Sequence, residues 1–163
     1  MKAVFNSSPL IFLYRLDLLE AAFALFDTNY VPSGVIEELT CGEIKDEEAI
    51  NIILENPKVV IRTVKYNLFY EKLRTSLGIG ETEAILLALD INSSSDYVIL
   101  DDKAARKKAL SNGLKIKGTI GILRLFYQKG ILTVRPDDIY KKLKSFNFRV
   151  EKGIYESILR EFY

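Results

Sequence analysis

Tyr97-Val98-Ile99-Leu100-Asp101-Asp102-Lys103-Ala104-Ala105-Arg106 decides how the rest of the chain is read. A short apolar run stops at two adjacent carboxylates, and a basic, alanine-rich segment follows. Such a run fits a strand buried on both faces. The segment after it reads as a helix, Lys103–Asn112, stopped by Asn112-Gly113. A strand passing directly into a helix is half of a βαβ unit, and the pattern extends in both directions.

Upstream, Lys2–Phe5 is a short strand closed by Asn6-Ser7-Ser8-Pro9, where Ser7 or Ser8 can cap a helix and Pro9 suits its first turn. Leu10–Phe26 is helical in period with a break near Arg15–Asp17. Asn29–Val31 is a strand, and Pro32 opens the helix Ser33–Leu39, which Gly42 ends. Asp46–Glu55 is amphipathic, with Ala49, Ile50, Ile53 and Leu54 inward. Val59–Val64 is rich in β-branched residues. Asn67–Leu77 is helical, Gly78-Ile79-Gly80 breaks it, and Glu81–Ile91 is a further helix. Ser93-Ser94-Ser95 is a loop too short to separate domains. Downstream, Leu114–Ile116 is a short strand and Thr119 caps a helix reaching Lys129, stopped by Gly130. Pro136–Phe146 and Glu151–Phe162 are the last two helices. The alternation predicts an α/β three-layer sandwich with a central, mostly parallel sheet.

Composition limits the chemistry. The 163 residues include no histidine and one cysteine, Cys41. Cysteine–histidine zinc cages, disulfide frameworks and histidine-based nucleophilic triads are therefore excluded. Acid, base or metal chemistry must rest on carboxylates, lysines or tyrosines. The longest uncharged stretch near the start, Ala3–Tyr14, is too short to span a bilayer and is interrupted by Asn6-Ser7-Ser8-Pro9. These features predict a cytoplasmic protein with no membrane association.

Charge is balanced overall but uneven along the chain. Residues 1–102 carry a net charge of −9 and residues 103–163 one of +10; between Lys103 and Lys129 stand eight basic residues and no acid. Such asymmetry suits a polyanionic partner. It also suits a basic helix face paired with the acidic helix Asp46–Glu55.

Carboxylates recur where strands end and helices begin. Asp101 and Asp102 follow the strand Tyr97–Leu100, Asn6 follows the first strand, Glu81 and Glu83 open the helix after Gly80, and Glu37-Glu38 lie on the helix after Pro32. Ligands of open parallel sheets gather at the carboxyl ends of the strands. Hard cations such as Mg²⁺ or Mn²⁺ take oxygen ligands of this kind and keep several waters. Structural roles are open to the same residues: Asp102 as a helix N-cap, Glu81 and Glu83 as acids favoured at a helix N-terminus by roughly 0.3–1 kcal/mol, and Glu37-Glu38 as an exposed helix edge.

Taken in order, Val4-Phe5-Asn6-Ser7-Ser8-Pro9-Leu10, Val35-Ile36-Glu37-Glu38-Leu39, Gly80-Glu81-Thr82-Glu83-Ala84, Leu100-Asp101-Asp102-Lys103-Ala104-Ala105-Arg106 and Lys117-Gly118-Thr119-Ile120-Gly121 resemble the PIN domain, in a branch akin to VapC ribonuclease toxins. The resemblance covers roughly residues 1–132, as a PIN-like domain, and residues 133–163 are expected to form a C-terminal helical hairpin packed on it. It implies an Mg²⁺- or Mn²⁺-dependent endoribonuclease with RNA as substrate, a possible small antitoxin partner whose segment covers the acidic cleft, and a possible homodimer. Carried over by position, it implies Asn6, Glu38 (or Glu37), Glu81 with Glu83, and Asp102 with Asp101 as metal-site and catalytic residues. Ser8 and Thr119 become substrate contacts, and Lys103, Arg106 and Lys107 line the substrate path. The family expects an aspartate where Asn6 stands, usually as the central ligand. Asn6 offers an oxygen without charge. That departure leaves open weakened metal affinity, a disarmed chain, or a silent relative that binds RNA or a protein. A receiver-like phosphoacceptor also places acids at strand ends, but it sets its acidic pair after the first strand.

Overall fold

The computed structural model describes residues 1–41, 47–91 and 96–163. In order, the elements are β1 Lys2–Phe5, α1 Ser7–Arg15, α2 Leu19–Ala24, β2 Thr28–Pro32, α3 Ser33–Cys41, α4 Glu47–Glu55, β3 Val59–Arg62, α5 Leu68–Arg74, α6 Ile79–Asp90, β4 Tyr97–Ile99, α7 Lys103–Ser111, β5 Lys115–Lys117, α8 Thr119–Gln128, α9 Pro136–Ser145 and α10 Lys152–Ile158, followed by a 3₁₀ turn at Arg160–Phe162. The expected helix stop at Gly42, the helix start at Asp46 and the loop Ser93-Ser94-Ser95 lie outside the described residues.

All five strands are parallel, in the order β3-β2-β1-β4-β5. The chain moves outward from β1 through β2 to β3, then returns to add β4 on the other side of β1. The order therefore reverses between β1 and β4. At such a switch point the crossovers diverge and leave a crevice at the carboxyl ends of the two strands. Asn6 and Asp101 immediately follow β1 and the β4 run, so the topology puts both at this crevice.

Side-chain alternation builds the two outer layers. Ala3 and Phe5 of β1, Val31 of β2 and Ile99 of β4 face one core, which α1, α2, α3, α4 and α8 cover. Val4, Tyr30 and Val98 face a second core under α5, α6 and α7. Phe5 meets Phe23 and Phe26 edge-on at centroid distances of 5.5 and 6.1 Å. The three-layer α/β expectation is met, with a sheet that is parallel throughout.

Several boundaries moved for identifiable reasons. Asp17, at φ 58°, makes the break between α1 and α2. β3 stops at Arg62 because it is the sheet edge, with Val60 and Ile61 already exposed. On α4, Ala49 and Ile53 are buried but Leu54 faces solvent, so the inward stripe is narrower than expected. Gly78-Ile79-Gly80 does not separate two helices: Gly78 caps α6, and Ile79 and Gly80 lie in its first turn. Gly113, at φ 77°, and Gly130, at φ 68°, end α7 and α8 as left-handed caps.

The C-terminal helices add Ile139, Leu143, Phe148, Tyr155 and Leu159 to the larger core. Tyr155 is fully buried, and its hydroxyl donates to the Pro136 carbonyl at 2.8 Å. Tyr155→Phe leaves that carbonyl without its donor and should cost about 1–2 kcal/mol. Urea denaturation followed by far-UV circular dichroism measures this; one cooperative transition is expected, and two would show the hairpin unfolding alone.

Candidate functional site

The site is built where α3 and α6 meet beyond the ends of β1 and β2. Each helix carries a glycine in its first turn and a glutamate on the same face: Gly34 with Glu38 on α3, and Gly80 with Glu83 on α6. Residues three or four apart share a helix face. The two pairs exchange contacts. The Gly80 N–H donates to Glu38 Oε1 at 2.8 Å, and the Gly34 N–H donates to Glu83 Oε2 at 2.7 Å. Each carboxylate thus meets the amide end of the opposing helix, where negative charge is stabilised.

The approach is so close that only glycine fits. A Cβ at Gly34 would lie 2.5 Å from Glu83 Oε2, and one at Gly80 would lie 2.5 Å from Glu38 Oε2 and 2.8 Å from Asn6 Oδ1. The Glu38 and Asn6 oxygens therefore converge on one point above Gly80. Ser7 Oγ donates to Glu38 Oε2 at 2.8 Å. Asn6, which precedes α1, is buried, with 3% of its surface exposed. Glu81 accepts from the Gly78 N–H at 2.9 Å and stands within 3.4 Å of a Cβ built on Gly78, a point 4.0 Å from Glu38 Oε1. Burial raises the Glu81 pKa above its ordinary value; the Gly78 N–H opposes the rise, and the charges of Asp102 and Glu38 add to it. Asn6, Glu38 and Glu81 are thereby gathered at the switch point as an acidic crevice, with Asp102 close enough for its charge to act on Glu81.

The remaining sequence-derived residues fall elsewhere. Glu37 is exposed, so Glu38 is the glutamate of that pair facing the crevice. Ser8 is half-buried, and the hydroxyl that meets the cluster is that of Ser7, one position earlier. Glu83 is buried, and its oxygens accept from the Gly34 amide and the Tyr66 hydroxyl (3.2 Å), contacts that anchor α3 against α6. A hydrogen bond with Tyr70, followed by the charge of Glu83, pushes the Tyr66 pKa up to about 12.

Asp101 does not supply a fourth free carboxylate. Its oxygens accept from the Thr119 amide at 2.7 Å and the Thr119 hydroxyl at 2.6 Å, which joins the end of β4 to the start of α8. Burial pushes its pKa up, against the two Thr119 bonds and the nearby Arg106. Thr119 is itself fully buried, so its hydroxyl serves Asp101 and does not meet a substrate. Gly118, not Thr119, caps α8. Asp102 accepts from the Ala105 amide at 2.8 Å and so is the N-cap of α7, with its second oxygen not engaged by that bond. Lys103 and Lys107 are exposed, while Arg106 folds back to donate to the Leu100 carbonyl at 2.9 Å. Among the described residues no ion pair links these cations to α4. Ser7, Gly34 and Gly80 are the site residues the sequence reading did not single out; the readable signal was the recurrence of Gly–x₂₋₃–Glu at two helix starts.

Among the described residues no three acidic or cysteine side chains already close around one point as a metal cage. The donors present are nonetheless all oxygen: one amide and three carboxylates, two of which raise the pKa of the third. This fits a hard cation that keeps water in its shell and relieves the repulsion.

The chain matches the PIN-domain family over residues 2–163 and belongs to it. The fold is of the nuclease type, in a family that generally uses divalent metal ions and commonly binds RNA. No curated protein and no solved structure matches the chain. Among the described residues no helix is long and apolar enough to cross a membrane.

Two outcomes follow from the geometry. Gly80→Ala forces the Glu38 carboxylate aside and should lower the melting temperature by several degrees, a cost of about 1–3 kcal/mol as overpacking; differential scanning fluorimetry reads it. Glu81→Gln should raise the melting temperature of the metal-free protein at pH 7. A carboxyl whose folded pKa is raised loses stability as pH climbs from its unfolded value near 4.5 through the folded one, so the penalty is complete at pH 7. The gain from Glu81→Gln should therefore vanish at pH 4.

Proposed function

We propose that the chain is a divalent-metal-dependent endoribonuclease of the PIN type, the toxin of a toxin–antitoxin pair, with Asn6 in the place of the first acidic ligand. The observation that carries this reading is the convergence of Asn6, Glu38, Glu81 and Asp102 at the β1–β4 switch point. Mg²⁺ or Mn²⁺ bound there would supply Lewis-acid charge at a phosphodiester and lower the pKa of coordinated water. Glu38, Glu81 and Asp102 provide three negative charges, and Asn6 adds a neutral oxygen. Ser7 fixes the Glu38 rotamer, and the Gly80 amide fixes its other oxygen. Lys103 and Lys107 stand at the exposed start of α7, where they offset the repulsion between the crevice and an RNA backbone. A small antitoxin segment would cover the same crevice.

A second reading draws on Asn6 itself. With one charge fewer than the family pattern, the chain would be a PIN-like protein that binds RNA or a protein without cutting.

A fluorescent single-stranded RNA in Mn²⁺, with EDTA as control, tests both. Asn6→Asp should cleave faster than the native chain. Asn6→Asp with Asp102→Asn, which keeps an N-cap acceptor, should lose at least ~10–100-fold, the loss that even outer-shell metal partners produce. Absence of cleavage by both the native chain and Asn6→Asp would sink the nuclease reading in favour of the binding one.

A further inference from the structure

A second cavity, of about 410 Å³, opens beside Asp101, between α7, β5, α8 and the C-terminal hairpin. Its size is that of a small-molecule site. Its lining carries four cations, Arg106, Lys117, Arg124 and Arg149. Arg124 is already held by Glu161 at 2.9 Å. Lys117 sits 4.5 Å over the Tyr97 ring, and Arg106 donates to the Leu100 carbonyl, so two of the three remaining cations are fixed in place. Asp101 is the single carboxylate in the lining, and Thr119 occupies both of its oxygens. Ile120, Ile154 and Ile158 add apolar surface to the same lining, and Ile154 is half-exposed.

A cavity lined by both cations and aliphatic side chains matches an anion that carries a flat apolar body. Position narrows the choice. Asp101 and Asp102 are adjacent in the chain; Asp101 lines this cavity, and the charge of Asp102 acts on Glu81 of the acidic crevice. Arg106, one turn after Asp102 on α7, lines the cavity. The cavity is thus the neighbouring place for a nucleotide next to a phosphate held at the crevice.

We propose that this cavity is a nucleotide-binding subsite, which takes one nucleotide flanking the phosphate held at the acidic crevice. Arg106, Lys117 and Arg149 hold its phosphate, and the base lies against Ile120 and Ile154. The inference rests on the RNA reading above and adds the C-terminal hairpin to the substrate path, through Arg149 and Ile154. It also gives the +10 charge of residues 103–163 a defined place to act.

The test is fluorescence anisotropy of a labelled single-stranded RNA in EDTA, where no cutting occurs. Lys117→Glu with Arg149→Glu is compared with Lys72→Glu with Lys142→Glu, an equal charge change on exposed helix faces that do not line the cavity. The cavity pair should weaken binding at least ~10-fold and lower the salt slope by about 1–2, against less than ~2-fold for the control pair. Ile154→Ser should weaken binding to the RNA yet leave the binding of inorganic pyrophosphate unchanged, since it removes the apolar base contact and adds no charge. Equal losses in the two charge pairs, or native affinity in the cavity pair, would overturn the subsite while leaving the nuclease reading standing. Adenosine monophosphate binding that the cavity pair abolishes, with RNA affinity untouched, would overturn it in favour of a site for free nucleotide. No RNA binding by the native chain would overturn the subsite, and the cleavage assay then decides separately whether the nuclease reading also falls.

Discussion

The exchange of carboxylates between α3 and α6 is the constraint on which the site depends. Glu38 caps the first turn of α6 at Gly80, and Glu83 caps the first turn of α3 at Gly34. Neither helix could approach so closely with a side chain at the glycine, and neither glutamate could be buried so deeply without the amide it meets. Glycine early in a helix costs about 1 kcal/mol relative to alanine; a charge-assisted hydrogen bond in a buried setting contributes roughly 1.5–3 kcal/mol. The close approach therefore wins over propensity. Its consequence is directional. One glutamate of the pair is sealed inside as an anchor, and the other is turned out toward Asn6 with its rotamer fixed at both oxygens.

The sheet order does the rest. Because β1 and β4 are neighbours whose crossovers run to opposite sides, their carboxyl ends share an open crevice. The two acids after β4 divide between two tasks there. Asp101 turns inward and ties β4 to α8 through Thr119; Asp102 turns outward as the cap of α7 and leaves charge at the crevice. Two adjacent like charges after a buried strand look costly in the sequence. The structure offsets part of the cost by giving each its own helix N-terminus, at α8 and α7.

Much of this was legible in the chain. The apolar runs Lys2–Phe5 and Tyr97–Leu100 announced buried parallel strands, and the acids at strand ends pointed to the crevice. Contacts between distant segments were not legible. Glu81 and Glu83 are equally good first-turn acids in sequence; only the packing of Gly34 against α6 separates the anchor from the crevice residue. Ser7 and Ser8 were indistinguishable because the choice depends on the angle at which α1 leaves β1. Gly80 read as a helix breaker because helix propensity registers its entropy and not the glutamate and asparagine that occupy the space of its missing side chain. Leu54 satisfied the helical period yet faces solvent, since α4 packs against the edge of the layer, where the core is narrow.

Asn6 can be weighed in the same terms. Its oxygen and that of Glu38 flank a single point, and it is buried. A carboxylate in its place would put a second full charge beside Glu38 in a desolvated position, and Glu81 already carries a pKa raised by burial and by its neighbours. Without a cation, an aspartate there would be driven toward its protonated form or would destabilise the crevice. An amide keeps the oxygen and removes the charge. The metal-free crevice is then easier to fold, and the attraction it offers a divalent cation falls by one charge's worth of Coulomb energy. Apo stability and metal affinity are thus set against each other at this one position. The chain has the side chain that favours the first, so any catalytic metal must bind more weakly here than it would beside an aspartate.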